Sequence, residues 1–319
     1  MDYLLLIAGM AILIYGANLL VQGASSFAKM LNIPNLIIGL TVVAFGTSFP
    51  ELIINIFASL DGQSDLAVGN VVGSNIINVL LVIGVAALIK PLQIQSFTVR
   101  YELPFSLLAM ALLFVVANDG LINGTNYSVL HRSDGLIFLA FFIIFIYYTF
   151  VVTTQGTQHA KDEGHDVKEM SKIKSTLFIV LGMVGLYFGG EFIVNSATEL
   201  AKQWGLSEVV IGILVVALGT SLPELATSVV ASYKGNADMA IGNIVGSNIF
   251  NVFLVLGVSA SISPIEFNPS INLDLLVAFV STLLLFIFVF TGKGRKVDRV
   301  EGSIFLVLYV GYVSWLLLS

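Results

Sequence analysis

The sequence predicts an all-α membrane protein of about ten transmembrane helices in two inverted-topology five-helix repeats. Three observations carry this expectation. Apolar runs of about 20 residues recur along the whole chain, the length that crosses roughly 30 Å of hydrocarbon. The composition is 57% hydrophobic and 11% charged, with a mean hydropathy of +0.97, whereas a soluble domain carries about 25% charged residues. Residues 38–86 align without a gap on 211–259, with about 29 of 49 positions identical, and such repetition outranks any single motif.

Taken in order, the spans are expected at 3–28, 33–60, 66–89, 101–117 and 134–153, then at 175–202, 206–233, 239–262, 272–291 and 302–318. The first has no basic leader and no small-residue cleavage site. Its Gly9-Met10 recurs as Gly182-Met183, so it reads as a retained helix rather than a signal peptide. Pro91 matches Pro264 in the same register. The polar stretch Thr153 to Ser175 separates the halves. This gives a first repeat over 1–153, a linker over 154–174 and a second repeat over 175–319, forming one integrated unit. Five spans per half is an odd number, so the halves lie in opposite orientation across the membrane.

The basic residues orient the chain. Lys29, Lys90, Arg100, Lys161, Lys168, Lys172, Lys174, Lys234, Lys293, Arg295, Lys296 and Arg299 fall in loops opposite the N-terminus, and only Arg132 and Lys202 fall on its own side. By the positive-inside bias, both termini lie outside and the 154–174 linker is cytoplasmic, with the plasma membrane as the expected location. The sequons at Asn123 and Asn126 lie in an outside loop and read as chance matches.

Composition also excludes. With no cysteine, no disulfide or thiolate metal site exists. His131, His159 and His165 all fall in expected loops, which argues against a histidine zinc site or an intramembrane histidine relay. The net charge of −6 is mild and no basic arm points to nucleic acid. No nucleotide-binding motif, cofactor motif or obligate protein partner is evident, and the lipid bilayer is the expected surroundings.

Two motifs, each present twice, carry the chemistry. The first is Gly46-Thr47-Ser48-Phe49-Pro50-Glu51, repeated 173 residues on as Gly219-Thr220-Ser221-Leu222-Pro223-Glu224. A carboxylate at membrane depth is costly and is usually kept for an ion or proton path. The Gly-Thr-Ser-x-Pro run breaks a helix and frees backbone carbonyls. The second motif is Gly69-Asn70-Val71-Val72-Gly73-Ser74-Asn75-Ile76-Ile77-Asn78, repeated at Gly242 to Asn251. Ser74 and Asn78 are four apart, as are Ser247 and Asn251, so each pair shares a helix face, and Asn70 and Asn243 extend that stripe.

Hard oxygen donors suit Na⁺ and Ca²⁺. The candidate ligands are the carboxylates of Glu51 and Glu224 and carbonyls near Ala44, Thr47, Ala217 and Thr220. The side chains of Ser48, Ser221, Ser74, Ser247, Asn78 and Asn251 complete the set. Two carboxylates give a charge of −2, matched by one Ca²⁺ or two Na⁺. Each residue has a plainer reading alone: membrane Ser and Thr often bond the carbonyl four residues back, Asn and Gly pack helices, and a single Glu can be protonated and structural. Repetition of the whole constellation in opposite orientation argues against those readings jointly. Glu191 differs, because its repeat counterpart is the neutral Asn18, and a packing or surface role is expected for it. Asp61 and Asp65 in the turn after the first broken helix lack the spacing of a calcium loop and read as a solvated turn.

On these motifs the chain resembles the cation/calcium exchanger superfamily, most closely the prokaryotic-type Na⁺/Ca²⁺ exchangers, over nearly its whole length. The resemblance implies four ion positions around Glu51 and Glu224. It implies calcium ligands at those glutamates and the Thr47 and Thr220 carbonyls, with flanking sodium positions at Ala44, Ser48 and Ser74 and at Ala217, Ser221 and Ser247. It also implies that the helices over 3–28 and 175–202 slide across the other eight. Asn251 stands where some microbial and K⁺-dependent members carry Asp, which favours K⁺ independence. Gly73 and Gly246 stand where the H⁺/Ca²⁺ branch carries Glu. The expected function is therefore a secondary antiporter, not an enzyme, exchanging Na⁺ for Ca²⁺ by alternating access and extruding Ca²⁺. Protons are possible competitors, and a H⁺/Ca²⁺ exchanger and a passive cation channel are the rival readings.

Overall fold

The computed structural model describes residues 2–124, 128–155, 170–204, 217–291 and 294–318. The described residues are helical almost throughout. The first half comprises α1 (Asp2–Leu31), α2 (Asn35–Thr47), α3 (Phe49–Leu60), α4 (Ser64–Ile89), α5 (Thr98–Ala117) and α6 (Arg132–Gln155). The second comprises α7 (Lys172–Gln203), α8 (Ala217–Thr220), α9 (Leu222–Tyr233), α10 (Ala237–Ile262), α11 (Asn272–Thr291) and α12 (Arg299–Leu318). Among the described residues, eight helices are long and apolar enough to cross a bilayer, and α2 with α3 makes a ninth span bent by 45°. The expected span over 206–233 is represented by α8 and α9; residues 205–216 lie outside the described residues, as does most of the 154–174 linker.

The bend follows from local chemistry. Pro50 has no N–H to donate to the preceding turn, and its ring crowds the carbonyl four residues back. Ser48 leaves the helix at φ −86°, ψ 3°, and α3 restarts with Pro50 in its first turn. Ser221 repeats this at φ −89°, ψ 3°, ahead of Pro223. The duplication continues along the backbone. Gly62 and Gly235 hold left-handed turns at φ 71° and 81°, a conformation that favours glycine. Lys90 (φ −147°, ψ 131°) and Ser263 (φ −140°, ψ 132°) end α4 and α10 alike. Both helices also widen into π-helix at equivalent asparagines, over Asn78–Ile83 and Asn251–Leu256. Asp61 and Asp65 flank the Gly62 turn between α3 and α4 and are not in a calcium-loop conformation.

Helices α1 and α7 pack along each other in opposite directions. Gly9 meets Gly189, Gly16 meets Gly182 and Leu186, and Gly23 meets Ser175 and Ile179, so the partner number falls as the α1 number rises. Equivalent helices of the two halves are thus antiparallel, as inversion requires. The approach is too close for side chains: a Cβ on Gly182 would sit 2.6 Å from the Leu20 nitrogen, and one on Gly16 2.8 Å from the Leu186 nitrogen. Small strand pairs pin the halves at the loops, which the hydropathy pattern does not reveal. β1 (Leu92–Gln93) pairs with β4 (Lys296–Val297), and β2 (Ser128–Leu130) with β3 (Ile265–Phe267). The central helices α4 and α10 are mostly buried, which places the two conserved-in-repeat asparagine motifs in the middle of the molecule.

Candidate functional site

The two helix breaks deliver Glu51 and Glu224 to the interior, and both residues are fully buried. Each carboxylate lies in the first turn after its break, where α3 or α9 presents its N-terminal end and that end's partial positive charge. Ser48 reaches across to the other half, its hydroxyl donating to Glu224 Oε1 at 3.1 Å. Ser247 donates to the same oxygen at 3.2 Å, and the Thr47 hydroxyl lies 3.3 Å from Ser247 Oγ. Five of the sequence-predicted residues are thereby linked into one cluster drawn from both halves, when the Thr47 hydroxyl's 3.3 Å contact with the Ala44 carbonyl is included.

The asparagines cross between halves in matched pairs. Asn78 Nδ2 donates to Asn248 Oδ1 at 3.0 Å, and Asn251 Nδ2 donates to Asn75 Oδ1 at 3.1 Å. Both bonds use the amide nitrogen and leave the Asn78 and Asn251 oxygens uncommitted. A second matched pair lies one turn away: Thr47 Oγ1 donates to Asn243 Oδ1 at 3.0 Å, and Thr220 Oγ1 to Asn70 Oδ1 at 3.4 Å. Asn70 and Asn243 are in turn tied to Asn55 and Ser228. The positioning roles of Asn75 and Asn248 are not deducible from helix periodicity, although their identity in both repeats was a usable signal. Asn55 and Ser228 differ between repeats and gave none.

Seven buried oxygens at the predicted positions have no hydrogen-bond partner among the described residues. They are both carboxylate oxygens of Glu51, Oε2 of Glu224, Oδ1 of Asn78 and Asn251, and Oγ of Ser74 and Ser221. Buried polar groups are normally satisfied, and an uncompensated buried carboxylate costs several kcal/mol or about that order. Acceptor oxygens from four helices, with two carboxylates among them, suit a desolvated hard cation and supply no nitrogen or sulfur ligand. The main chain adds a difference between the breaks. Ser48 N–H donates to the Ala44 carbonyl at 2.9 Å, while Ser221 N–H goes to Leu218 rather than Ala217, at 3.1 Å.

A cavity of about 240 Å³ separates α3 from α7 and reaches Thr220 and Pro223 at the second break. In the other half α1 packs on α9, and at the C-terminal end of α9 the Lys234 ammonium donates to the side-chain oxygen of Asn18. A larger cavity, about 410 Å³, lies between α11, α12 and Leu80; its walls are apolar and it has no carboxylate.

The chain matches the family described as sodium/calcium exchanger protein over residues 1–151 and 174–318. It is 36% identical to the inner membrane protein YrbG of Escherichia coli, covering 98% of this chain and 94% of that protein. It is 31% identical to the sodium/calcium exchanger MaX1 of Methanosarcina acetivorans, covering 98% and 97%. A solved structure of the sodium-calcium exchanger NCX_Mj, soaked with 10 mM Na⁺ and zero Ca²⁺, superposes with a TM-score of 0.82 at 30% identity, covering 98% of both chains. A doubled site on a fold shared from end to end makes this chain a member of the sodium/calcium exchanger protein family.

Proposed function

We propose that this protein is a secondary antiporter that exchanges Na⁺ for Ca²⁺ by alternating access, normally extruding Ca²⁺. The observation that carries the reading is the set of seven buried oxygens without a partner among the described residues, drawn from both repeats and including oxygens of Glu51 and Glu224. One Ca²⁺ or two Na⁺ neutralises the two carboxylates, and each cation in turn replaces the hydrogen-bond donors that the protein withholds. Competition for one set of oxygens couples the two ions: the site is stable when filled by either, and costly when empty and charged. Ser48, Ser221, Ser74, Ser247, Thr47, Thr220, Asn78, Asn251 and the carbonyls near Ala44 and Ala217 complete the ligand set.

The glycine-lined contact between α1 and α7 supports a pair of helices that moves as a body, since backbone against backbone offers no interlocking side chains. Sliding of that pair would open the site to one face and close it to the other. Both termini lie outside and the 154–174 linker lies in the cytoplasm, as the basic-residue bias requires. The cycle makes and breaks no covalent bond and needs no cofactor.

The test is ⁴⁵Ca²⁺ uptake by proteoliposomes loaded with Na⁺ or with choline. Uptake that requires internal Na⁺ is the expected result. Equal uptake under both conditions rejects Na⁺ coupling. Uptake driven instead by an imposed pH gradient marks a H⁺/Ca²⁺ exchanger, and flux without any counter-ion marks a channel.

A further inference from the structure

Glu191 is not among the residues that hold the cluster of site oxygens. It lies on α7, 12 positions before Gln203, or about 18 Å along the helix axis. A carboxylate this far inside a membrane helix normally faces the bundle interior or water. Here it lines the cavity between α7 and α3, beside Asn195 and opposite Pro50 and Ile54. It is exposed, and no basic side chain pairs with it among the described residues. Pro50 precedes Glu51 and Pro223 precedes Glu224, so the cavity wall adjoins both helix breaks.

The other half shows what this position does when it is not charged. The repeat counterpart of Glu191 is Asn18. Asn18 faces a cation: the Lys234 ammonium donates to its side-chain oxygen and lies 3.5 Å from its backbone oxygen. The repeat counterpart of Lys234 is in turn Asp61, on the end of the molecule where α3 terminates. The α3–α7 cavity therefore carries a carboxylate, Glu191, with no ion pair among the described residues, and the α1–α9 contact a lysine locked to an amide.

We infer that Glu191 is a recruiting residue, which concentrates cations in the α3–α7 cavity on their way to the deeper site. It does this on one face of the membrane only, the face on which Asp2 and Gln203 meet (Gln203 Nε2 to Asp2 Oδ2, 3.0 Å). The physical signature follows from charge. A fixed negative potential multiplies the local concentration of an ion by a Boltzmann factor whose exponent scales with the ion's charge, so a gain of f for Na⁺ is f² for Ca²⁺. A carboxylate that merely packs α7 has no such valence dependence.

This inference rests on the proposed exchange activity for its transport arm but not for its labelling arm. The chain contains no cysteine, so Ile54→Cys places a single thiol in the cavity wall. Its modification rates by a cationic (trimethylammonium) and an anionic (sulfonate) methanethiosulfonate reagent report the local potential directly. Glu191→Gln is expected to lower the cationic-to-anionic rate ratio about fourfold or more at low salt, and Glu191→Asp to restore it. In the transport arm, Glu191→Gln is expected to raise half-saturating Na⁺ about twofold and half-saturating Ca²⁺ about fourfold on that face, more than it changes the maximal rate. Values measured from the opposite face should not move. An unchanged rate ratio in the labelled protein overturns the inference whatever the transport data show. Equal shifts for Na⁺ and Ca²⁺, or equal shifts on both faces, also overturn it. Absence of Na⁺-coupled uptake in the parent protein would reject the exchange reading instead, and leaves the labelling result to decide on Glu191.

Discussion

Glu51 and Glu224 are copies of one residue in one motif, yet the protein treats them differently. Glu224 receives hydrogen bonds from Ser48 and Ser247, whereas among the described residues neither oxygen of Glu51 has a partner, nor do the equivalent hydroxyls of Ser221 and Ser74. The surroundings differ in the same sense. In the second half α1 is packed on α9 and latched by Lys234 at the end of α9 away from the break, while in the first α7 stands off from α3 across a cavity. A duplicated sequence therefore does not give a duplicated environment. Exchanging the two environments is what a half-cycle of alternating access would accomplish.

The largest expected effects break the comparison at its centre. Glu51→Gln and Glu224→Gln should each reduce Na⁺-dependent ⁴⁵Ca²⁺ uptake by about 100-fold or more, since each supplies half the charge that offsets a desolvated divalent ion. Stability in cation-free detergent should separate them. Glu51→Gln removes a buried carboxylate with no donor and should raise the unfolding free energy by about 1–3 kcal/mol, with a smaller gain for Glu224→Gln. Near-normal uptake by the Glu51 variant would show that Glu51 is not a ligand of the transported ion.

Next in size is the glycine contact. A methyl on Gly182 meets the Leu20 backbone at 2.6 Å, so Gly182→Ala must push α1 from α7. The exchange rate should fall about tenfold while Ca²⁺ binding by the detergent-solubilised protein is retained, because overpacking here of about 1–3 kcal/mol acts on the moving surface rather than on the ligands. Equal loss of binding and exchange would show that the contact shapes the site instead.

Lys234→Met tests the latch. It removes the hydrogen bond to Asn18 and should shift the protein toward the opposite-facing state by about threefold to tenfold, the effect of about 1 kcal/mol. The readout is the labelling rate of Ile54→Cys, which should slow as the α3–α7 cavity closes. An unchanged rate would mean that helix packing alone holds that mouth shut.

The smallest effect is expected at Asn251. Asn251→Asp adds a third carboxylate one turn from Ser247 and should change the relative apparent affinities for Na⁺ and Ca²⁺ by about twofold to threefold, favouring a third monovalent charge. Exchange measured with and without K⁺ at several pH values checks this, and an ion dependence identical to that of the parent would make Asn251 a packing residue. In the parent protein, inhibition by acid should be relieved by saturating Ca²⁺, since protons and Ca²⁺ compete for the same carboxylate oxygens.

Much of the architecture was legible in the chain. The nine spans seen among the described residues, the repeat register and the break before each proline rest on local properties: hydropathy over about 20 residues, identity at a fixed offset, and the missing N–H of Pro50 and Pro223. The carboxylates and the Ser–Asn stripe were legible for the same reason, since a four-residue spacing fixes a helix face. The crossed bonds from Asn78 to Asn248 and from Asn251 to Asn75 were not legible, because each joins residues 170 or more positions apart. The β1–β4 and β2–β3 pins were missed because two- and three-residue strands leave no periodicity to read.

The sequence by itself determined that this is an all-helical membrane protein built twice over, with one acidic break per half, because those features depend on near neighbours and on the cost of polar groups in hydrocarbon. Only the tertiary structure decided which carboxylate receives hydrogen bonds, which asparagine oxygens have no partner among the described residues, and that Glu191 lines a cavity while its counterpart Asn18 is held by Lys234. Two nearly identical segments carry no information about their own inequality. That inequality arises from long-range contacts, since the donors that reach Glu224 are Ser48 from the other half and Ser247 on α10.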